Sequence, residues 1–322
     1  MVIKNFQTLD NYIEESFGPR ISMEDATEKI IKYINEETLP TPLEIIWCDD
    51  LLSSALMCST KVDETPNALV TRKYTMLLKT NAENTYLRER GVLCLMDHEI
   101  GTHYNRSYNE GLQPWYRKRS EYGLTSLGSH EMTTIEEGFA CINTSLGAKN
   151  HYLAVPALLY YGACMAEYLP FKELFEHLSR YLKDEEQCWK HCMRIKRCLR
   201  NQEECGGYGK DQRYFEGAVR ILMEQNNIDF RQLIAGKLSL TDLEKVQEQI
   251  TLEEIHLPSF MTPISAYQAQ LREIARLNGL YILPKRERPA KVVESSQPSQ
   301  PSEVNKDVNR SGLVKPNRDR QV

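Results

Sequence analysis

The stretch Asp97-His98-Glu99-Ile100-Gly101-Thr102-His103 most constrains how this chain can fold. It follows an apolar run, residues 91–96, that is typical of a buried helix. On an ideal α-helix, residues five positions apart point about 140° away from each other, so the two imidazoles could not face one ion. A fold that brings His98 and His103 together therefore needs a break in the helix. Gly101 lies between them and can provide it, by a π-type bulge or by ending the helix.

Histidines beside a carboxylate predict a hydrolytic zinc site. Such a site needs three protein ligands, an open fourth position and a carboxylate that takes a proton from water. His98 and His103 are the first two candidate ligands, and Glu99 is the candidate general base. A capped helix end with a partly buried imidazole would show the same residues, so a third ligand has to decide between the two interpretations.

A candidate third ligand lies in the segment Glu136-Glu137-Gly138-Phe139-Ala140. Its Glu-Gly-Phe-Ala portion resembles the segment in which gluzincin-type peptidases carry a glutamate ligand, and this resemblance implies Glu137. The alternative is a capping box at a helix start, formed by Thr133 with Glu136 or by Thr134 with Glu137. We expect Thr133 and Glu136 to cap the helix while Glu137 points to the metal.

Two other groups of potential ligands are expected to be structural. His130 and Glu131 precede the third-ligand segment, and we predict a loop role for them. The second group is Cys188, His191, Cys192, Cys198 and Cys205. Because none of the nine cysteines forms a CxxC pair, we predict free thiols at helix contacts rather than a structural zinc site.

Composition limits the possible partners. A net charge of −5 and a pI near 5.9 argue against a general nucleic-acid binder. The most apolar segment, residues 152–169, contains Pro156 and Glu167 and is barely long enough to cross a membrane, so we predict a buried helix. The first residues lack the apolar core of a signal peptide. We therefore predict a cytoplasmic protein without nucleic-acid or membrane partners.

The periodicity of apolar residues predicts an α+β fold that is mainly helical. Short β-prone runs at residues 43–48, 55–61 and 68–78 predict a small antiparallel sheet. Residues 104–132 show little periodicity and predict a long ordered loop. The predicted helices are residues 22–37, 86–100, 135–146, 152–169, 171–182, 185–200 and 214–225, with two more opening at Thr241 and at Thr262-Pro263.

These elements predict one catalytic domain over residues 1–284, and the resemblance of the third-ligand segment implies that it is of gluzincin-like metallopeptidase type. A sheet lobe with the His helix, about residues 42–103, and a larger helical lobe, about residues 133–284, would flank a zinc cleft. Residues 285–322 are rich in Pro, Ser and Gln, with nine Lys and Arg against five Asp and Glu. This composition predicts a disordered basic tail.

In combination, the motifs resemble the microtubule-associated tyrosine carboxypeptidase family, which is related to bacterial proteins named for a Gln-Glu-Gly-Leu-Ala motif. The resemblance covers roughly residues 43–283. The motifs that carry it are His98-Glu99-Ile100-Gly101-Thr102-His103, Arg106, Gln113-Pro114-Trp115, Glu136-Glu137-Gly138-Phe139-Ala140, Gly206-Gly207-Tyr208-Gly209-Lys210-Asp211, Tyr214 and Gly217. One departure is Phe139, where the family motif usually has Leu. We also expect this chain to differ from animal members in their long N-terminal extension.

The resemblance implies a zinc metallopeptidase that removes the C-terminal tyrosine of α-tubulin at microtubules. It implies one zinc ion held by His98, His103 and Glu137, with Glu99 activating the water. Two other functions remain open. One is a cytoskeletal binding protein with a non-catalytic metal site, and the other is a hydrolase of other peptides, such as an aminopeptidase.

A carboxypeptidase must also bind the terminal carboxylate and stabilise an oxyanion. Arg106, Lys210, Arg213 and Tyr214 are the candidates for these roles.

Two further sets of residues complete the predicted substrate contacts. One is an aromatic pair in a loop, and the other is a set of basic residues. Trp115 and Tyr116 are candidates for lining a tyrosine pocket. Because the tubulin tail is acidic, a basic approach surface is expected. Its candidate residues are Arg117, Lys118, Arg119, Lys190, Arg194, Lys196, Arg197 and Arg200.

Overall fold

The first elements of the chain are two helices and three short strands. The computed structural model describes residues 5–51, 53–61, 72–80 and 84–286. Helix α1 (Leu9–Phe17) begins after the N-cap Thr8 and was not expected from the sequence. Helix α2 (Met23–Glu37) begins after Ser22, whose side chain accepts a hydrogen bond from the Asp25 backbone, and this predicted helix is confirmed.

The strands form a mixed sheet. Strands β1 (Leu43–Cys48), β2 (Ala55–Lys61) and β3 (Arg72–Lys79) lie in the order β1-β3-β2. Strand β3 runs parallel to β1 and antiparallel to β2, so the prediction of an antiparallel sheet is wrong for one of its two pairings. Strand β3 lies between β1 and β2, so β1 pairs with β3 instead of with its neighbour in the sequence, β2. This pairing of the first and third strands is the parallel one. Residues 68–71 of the third predicted strand lie outside the described residues.

A continuous helical path then carries the histidines. Helix α3 (Gly91–His98) passes directly into a π-helix (Glu99–Tyr104) and then into α4 (Asn105–Glu110). The prediction of a loop over residues 104–132 is therefore wrong for residues 104–110, which are helical. These helical residues are polar but buried, and Asn109, for example, donates hydrogen bonds to the Ile234 and His256 carbonyls. Buried polar residues hide the apolar periodicity on which the prediction rested.

The rest of the described chain is helical. A 3₁₀ turn at Arg119–Tyr122 is followed by the helices α5 (His130–Gly147), α6 (Ala154–Ala166), α7 (Phe171–Leu178), α8 (Glu185–Lys196), α9 (Gln212–Glu224), α10 (Phe230–Ile234), α11 (Leu240–Val246) and α12 (Ile264–Leu277). Shorter 3₁₀ turns lie at Gly209–Asp211, Gln225–Asn227 and Ser259–Met261. Among the described helices, none is both long and apolar enough to cross a membrane.

Two predicted caps are wrong by a few residues. The N-cap of α5 is Ser129, whose hydroxyl accepts from the Met132 backbone, so Glu136 is not a capping residue. The capping box of α11 is formed by Ser239 and Asp242, so it begins at Ser239 rather than at the predicted Thr241. In both cases a serine upstream of the predicted threonine supplies the cap.

The apolar core of the described residues has three main parts. Helices α5, α9 and α12 enclose the largest part, and α6 to α8 with α1 enclose a second. The third lies between the sheet, α2 and the His-bearing helical path. The π-helix contacts β2 on one side and α5 on the other.

Residues up to Lys285 form one compact unit. The predicted two lobes stay a prediction, and the predicted tail lies outside the described residues from residue 287 on.

Candidate metal centre

The predicted break in the His helix is a π-helix. Hydrogen bonds of a π-helix join residues five positions apart, so they bring residues with that spacing toward one side. The rings of His98 and His103 accordingly lie with centroids 5.0 Å apart. Of the two expected breaks, the structure contains the bulge. Gly101 also allows close packing, because a Cβ at this position would lie 2.5 Å from Cε1 of Phe260.

Helix α5 brings a carboxylate to the two imidazoles. One potential ligand atom from each of His98, His103 and Glu137 lies within 4.8 Å of the others. Within the part of the chain that the structure describes, this is the only group of three such side chains close enough to share an ion. The cysteines and histidine on and after α8 do not form a second one there.

Hydrogen bonds at Nδ1 leave Nε2 of each imidazole available. The Thr144 hydroxyl donates to the Ala140 carbonyl, 2.9 Å away, so its oxygen accepts from Nδ1–H of His98, also at 2.9 Å. Nδ1 of His103 lies 2.8 Å from Oε1 of Glu136 and donates to that carboxylate. In both neutral rings the lone pair is then on Nε2, the tautomer in which a histidine binds a metal.

The two histidines differ in electrostatics. Burial lowers the pKa of His98 well below its usual range, and the neighbouring His103 lowers it further. Burial also opposes the charged form of His103, but its hydrogen bond to Glu136 and the charges of Glu136 and Glu137 raise its pKa overall. Metal binding at this site therefore competes with a proton on His103 rather than on His98.

Glu99 lies beside the first candidate ligand and is 5% exposed. Its Oε2 is buried and has no hydrogen-bond partner among the described residues. Burial raises the pKa of Glu99 to about 7, although the charge on His103 counteracts part of this rise. A carboxyl group with such a pKa can both take up and release a proton near neutral pH.

Glu136 connects the site to the core. Besides His103, it accepts from Nη1 of Arg106, and Nζ of Lys237 lies 3.2 Å from its Oε1. Arg106 is fully buried, and its other two nitrogens donate to the Gly236 and Leu238 carbonyls. These contacts contradict the predicted role of Arg106 as a substrate anchor. The residue instead holds the segment that carries Lys237.

A cavity of about 460 Å³ is lined by the three candidate ligands and Glu99. Its apolar wall comes from β2, α3, α5 and α6 and consists of Ala55, Leu56, Met57, Leu95, Met132, Val155, Pro156 and Leu159. Its cationic groups are Arg194, Lys210 and Lys237. The cavity thus combines an apolar wall with the candidate metal centre and three cationic side chains.

Two of the predicted substrate-binding residues line the cavity. Nζ of Lys210 lies 3.7 Å from Oε1 of Glu137. Tyr214 keeps a neutral phenol, because burial and then the charge of Glu137 raise its pKa well above the usual range. Arg213 is absent from the described residues that line the cavity.

Comparison with known proteins identifies the family. A family model described as "Microtubule-associated tyrosine carboxypeptidase" matches residues 20–279, which include every residue of the candidate metal centre. The chain belongs to this family. The resemblance seen in the sequence motifs is therefore confirmed.

Relatives within the microtubule-associated tyrosine carboxypeptidase family are about 30% identical to this chain over the aligned residues. Microtubule-associated tyrosine carboxypeptidase 1 is 30% identical over 280 residues in Mus musculus, covering 87% of this chain and 56% of that protein. The Homo sapiens protein of this name is 30% identical over 282 residues, with the same two coverages. Putative tyrosine carboxypeptidase MATCAP2 from Mus musculus is 30% identical over 281 residues, covering 87% of this chain and 51% of that protein. The chain spans about half the length of these curated relatives.

The family's aromatic loop does not line the cavity. Trp115 is fully buried, and its Nε1 donates to Oε2 of Glu110 at 3.1 Å. The Tyr116 hydroxyl accepts from Nη2 of Arg72 at 2.8 Å. Neither residue is among the described residues of the cavity wall, so the prediction that they line a tyrosine pocket is wrong. Trp115 anchors its loop instead.

Much of the predicted basic approach surface is used inside the fold. Lys196 is fully buried and donates to backbone carbonyls. Arg194 and Arg197 both bind the buried Asp211, and Arg119 pairs with a buried glutamate. Charged residues of one helix can thus bind groups inside the protein instead of facing solvent. Counting charges in the sequence does not distinguish these two cases.

Several residues of the site were missed in the sequence. Thr144 lies seven residues after Glu137, so it occupies the same face of α5 two turns later, and that spacing was a usable signal. Lys237 follows a short helix far from any motif, and no local pattern points to it. His191 and Arg194 were read as a cysteine neighbour and a surface charge, but both line the cavity.

Proposed function

We propose that this chain is a zinc-dependent metallocarboxypeptidase that removes the C-terminal tyrosine of α-tubulin, acting on microtubules in the cytoplasm. The observation that carries the proposal is the convergence of His98, His103 and Glu137 within 4.8 Å beside Glu99. Membership of the microtubule-associated tyrosine carboxypeptidase family supports the reaction and the substrate. The fold that we propose around the site is a gluzincin-like cleft.

The donor set fits zinc. Two imidazole nitrogens and one carboxylate are a common ligand set of catalytic zinc, and they leave a further position open. Both imidazoles have their Nδ1 atoms hydrogen-bonded, which orients Nε2 as in other metal-binding histidines. The buried, unpartnered Oε2 of Glu99 is a polar atom that the protein itself does not satisfy.

Glu99 is proposed to move the proton. When bound, zinc supplies a Lewis acid that polarises a carbonyl and lowers the pKa of water. Glu99 takes a proton from the attacking water, whose oxygen forms a bond to the scissile carbonyl carbon. As the C–N bond breaks, Glu99 passes this proton to the nitrogen of the departing tyrosine. The low exposure of Glu99 keeps bulk water from competing for the proton.

Residues of the cavity wall are proposed to hold the substrate. Tyr214 has a neutral phenol and can donate a hydrogen bond to the oxyanion that develops on the scissile carbonyl. Lys210 and Arg194 can attract the terminal carboxylate. Nε and Nη2 of Arg194 bind Asp211, whereas Nη1 has no acceptor among the described residues and is available to a ligand.

The charges of the cavity favour a carboxypeptidase over an aminopeptidase. An aminopeptidase needs acidic groups for the substrate's terminal amine. The described cavity wall contains Glu99, the candidate ligand Glu137 and the His103 partner Glu136, and its other charged groups, Lys210, Lys237 and Arg194, are cationic. Among the described strands, β2 lies at the edge of the sheet and also lines the cavity. Its open edge offers backbone groups to an extended peptide.

The test is Glu99→Gln, which keeps the size of the side chain but removes the base. We expect the variant to retain bound zinc, measured by elemental analysis, and to release no tyrosine from a tubulin-tail peptide, measured by mass spectrometry. Glu131→Gln is the matched control, because Glu131 lies outside the cavity and accepts a hydrogen bond from Thr241. The control should retain both zinc and activity.

Two outcomes would overturn this proposal. Release of tyrosine by Glu99→Gln at the wild-type rate would exclude Glu99 as the base. Microtubule co-sedimentation by the wild-type protein without any release of tyrosine would favour a binding protein with a non-catalytic metal site.

A further inference from the structure

The end of the π-helix skips one backbone carbonyl. The backbone N–H of Asn105 donates to the Ile100 carbonyl, five residues earlier, and to the Thr102 carbonyl, three residues earlier. A helix that returns to four-residue spacing at Arg106 next uses the Thr102 carbonyl. The carbonyl of the buried Gly101 is therefore left out of this backbone pattern. A buried carbonyl without a donor is costly, so plain α-helical spacing would be favoured unless another group donates to it.

The side chain of Asn105 is that donor. The residue is fully buried, and its Nδ2 donates to the Gly101 carbonyl at 3.3 Å. A carbonyl only accepts hydrogen bonds, so this contact fixes the orientation of the amide. On the other side of the amide, Oδ1 lies 2.7 Å from Nδ1 of His256, and Nε2 of His256 lies 3.0 Å from the carbonyl of Glu37 at the end of α2. Groups outside the helix thus hold the amide in place.

A second side chain bonds across the same five-residue spacing. The Thr102 hydroxyl donates to the Asp97 carbonyl at 3.0 Å. Nδ2 of Asn143 on α5 donates to the Thr102 oxygen at 2.9 Å, and the Tyr267 hydroxyl of α12 donates to Oδ1 of Asn143 at 2.7 Å. Thr102, Asn143 and Tyr267 are all fully buried. This chain of hydrogen bonds connects the π-helix to the helical core.

We propose that Asn105 and Thr102 are positioning residues, which stabilise the five-residue spacing of the π-helix and thereby hold His103 beside His98 before a metal binds. The inference rests on the proposed zinc site and adds two residues that act on it through the backbone. With four-residue spacing throughout, the two imidazoles would point about 140° apart. Without either contact, part of the folded protein adopts that spacing, and the apparent zinc affinity falls with the fraction that remains competent.

Asn105→Leu removes the donor to the Gly101 carbonyl. We expect the zinc affinity of the folded variant to fall by about 10-fold to 100-fold, measured by competition with a chromophoric chelator. Asn109→Leu is the control on the same helix, since Asn109 is also fully buried but its Nδ2 donates only to carbonyls outside that helix. Both variants should lose stability, whereas only Asn105→Leu should lose zinc affinity. Equal affinities in the two variants would overturn the role of Asn105.

Thr102→Val is a milder variant, because it keeps the volume of the side chain. It removes the donor to the Asp97 carbonyl, and we expect zinc affinity to fall by about 5-fold to 10-fold. Thr134→Val serves for comparison, since the Thr134 hydroxyl donates to the His130 carbonyl across ordinary four-residue spacing. Wild-type zinc affinity in Thr102→Val would overturn the role of Thr102. If Asn105→Leu does not fold, this pair of variants decides the inference.

Excess zinc distinguishes positioning from a general structural defect. Zinc selects the five-residue spacing, so Asn105→Leu at saturating zinc should release tyrosine from the tubulin-tail peptide at the wild-type rate. A slow release that zinc does not restore, together with unchanged zinc affinity, would overturn the inference.

The zinc measurement also separates this inference from the proposed function. If the wild-type protein binds zinc but releases no tyrosine, the proposed hydrolysis is wrong, whereas a lower zinc affinity in Asn105→Leu than in Asn109→Leu still supports the inference. Absence of zinc binding by the wild-type protein would overturn both.

Discussion

At the scale of single residues, the candidate metal centre depends on side chains that do not face the ion. Thr144 fixes His98 because its own proton is used by the Ala140 carbonyl, which leaves its oxygen as the acceptor for Nδ1–H. Glu136 does the same for His103 with a charged acceptor. Such outer partners orient the rings and raise the basicity of the ligand nitrogen.

Thr144→Val tests this role with almost no change in volume. The variant removes the acceptor for His98, and we expect zinc affinity to fall by about 10-fold to 100-fold. Competition with a chromophoric chelator measures the change. Thr134→Val is the control on the same helix, since Thr134 is buried and its hydroxyl donates only to the His130 carbonyl. Equal affinities of the two variants would contradict the assigned role.

Arg106 is expected to contribute to folding rather than to substrate binding. It is fully buried, and each of its three side-chain nitrogens has a protein acceptor. Arg106→Met leaves Glu136 with one partner fewer in the core and should lower the free energy of unfolding by about 3–5 kcal/mol. Urea denaturation followed by circular dichroism measures the loss. A variant of normal stability with a raised KM would instead restore Arg106 as a substrate anchor.

At the scale of elements, the close crossing of α5 and α9 places Glu137. A Cβ on Gly138 would lie 2.2 Å from the backbone carbon of Gly217, and a Cβ on Gly217 would lie 1.8 Å from the Thr134 carbonyl oxygen. The two helices therefore touch backbone to backbone at these glycines. Gly138 follows Glu137 directly, so the same contact sets the position of the candidate ligand.

Gly138→Ala should therefore push the two helices apart. Because backbone cannot move aside as a side chain can, we expect a loss of about 3 kcal/mol or more in the free energy of unfolding. Gly162→Ala is the matched control, since the added Cβ would meet only side-chain atoms, Cδ1 of Ile195 at 2.5 Å and Cδ1 of Leu178 at 3.3 Å. Its cost should be smaller, partly offset by about 1 kcal/mol of helix propensity. Similar losses in the two variants would contradict the proposed crossing constraint.

What the sequence predicted at this scale depended on local geometry. The break in the His helix followed from the angle between His98 and His103, and a π-type bulge was one of its two expected forms. Helix α2 followed from Ser22 and its apolar spacing. The order of strands in the sheet did not follow, because short β-prone runs do not specify which strand lies between the others. Helix α4 was missed because its buried residues are polar and satisfied by distant parts of the chain. Lys237 was missed for the same reason, since only the fold brings it to the site.

At the scale of the whole molecule, charge is distributed unevenly. The chain has a net charge of −5, yet the cavity wall contains Arg194, Lys210 and Lys237. Much of the basic surface predicted for approach to an acidic peptide is neutralised inside the fold. The cavity cations are also paired, Arg194 with Asp211, Lys210 with Glu137 and Lys237 with Glu136, so these residues offer little unpaired basic charge to an acidic tail.

The candidate metal site also joins distant parts of the chain. His98 and His103 lie on the path that packs against the sheet, whereas Glu137 lies on α5 in the helical core. An ion bound by all three is present only in the folded state, so its binding free energy adds to stability. At a free zinc concentration about 100-fold above Kd, the expected gain is about 2.7 kcal/mol.

Thermal unfolding at buffered zinc concentrations checks this linkage. Tm should rise with free zinc and fall after chelation, and release of tyrosine from the tubulin-tail peptide should be lost and regained in parallel. Glu137→Ala removes the only candidate ligand on α5, so its Tm should respond far less to zinc. A Tm that rises equally in both proteins would place the ion elsewhere. A Tm independent of zinc in the wild-type protein would show that these three side chains do not form a zinc site, and the contacts of Glu136 and Thr144 would then be structural alone.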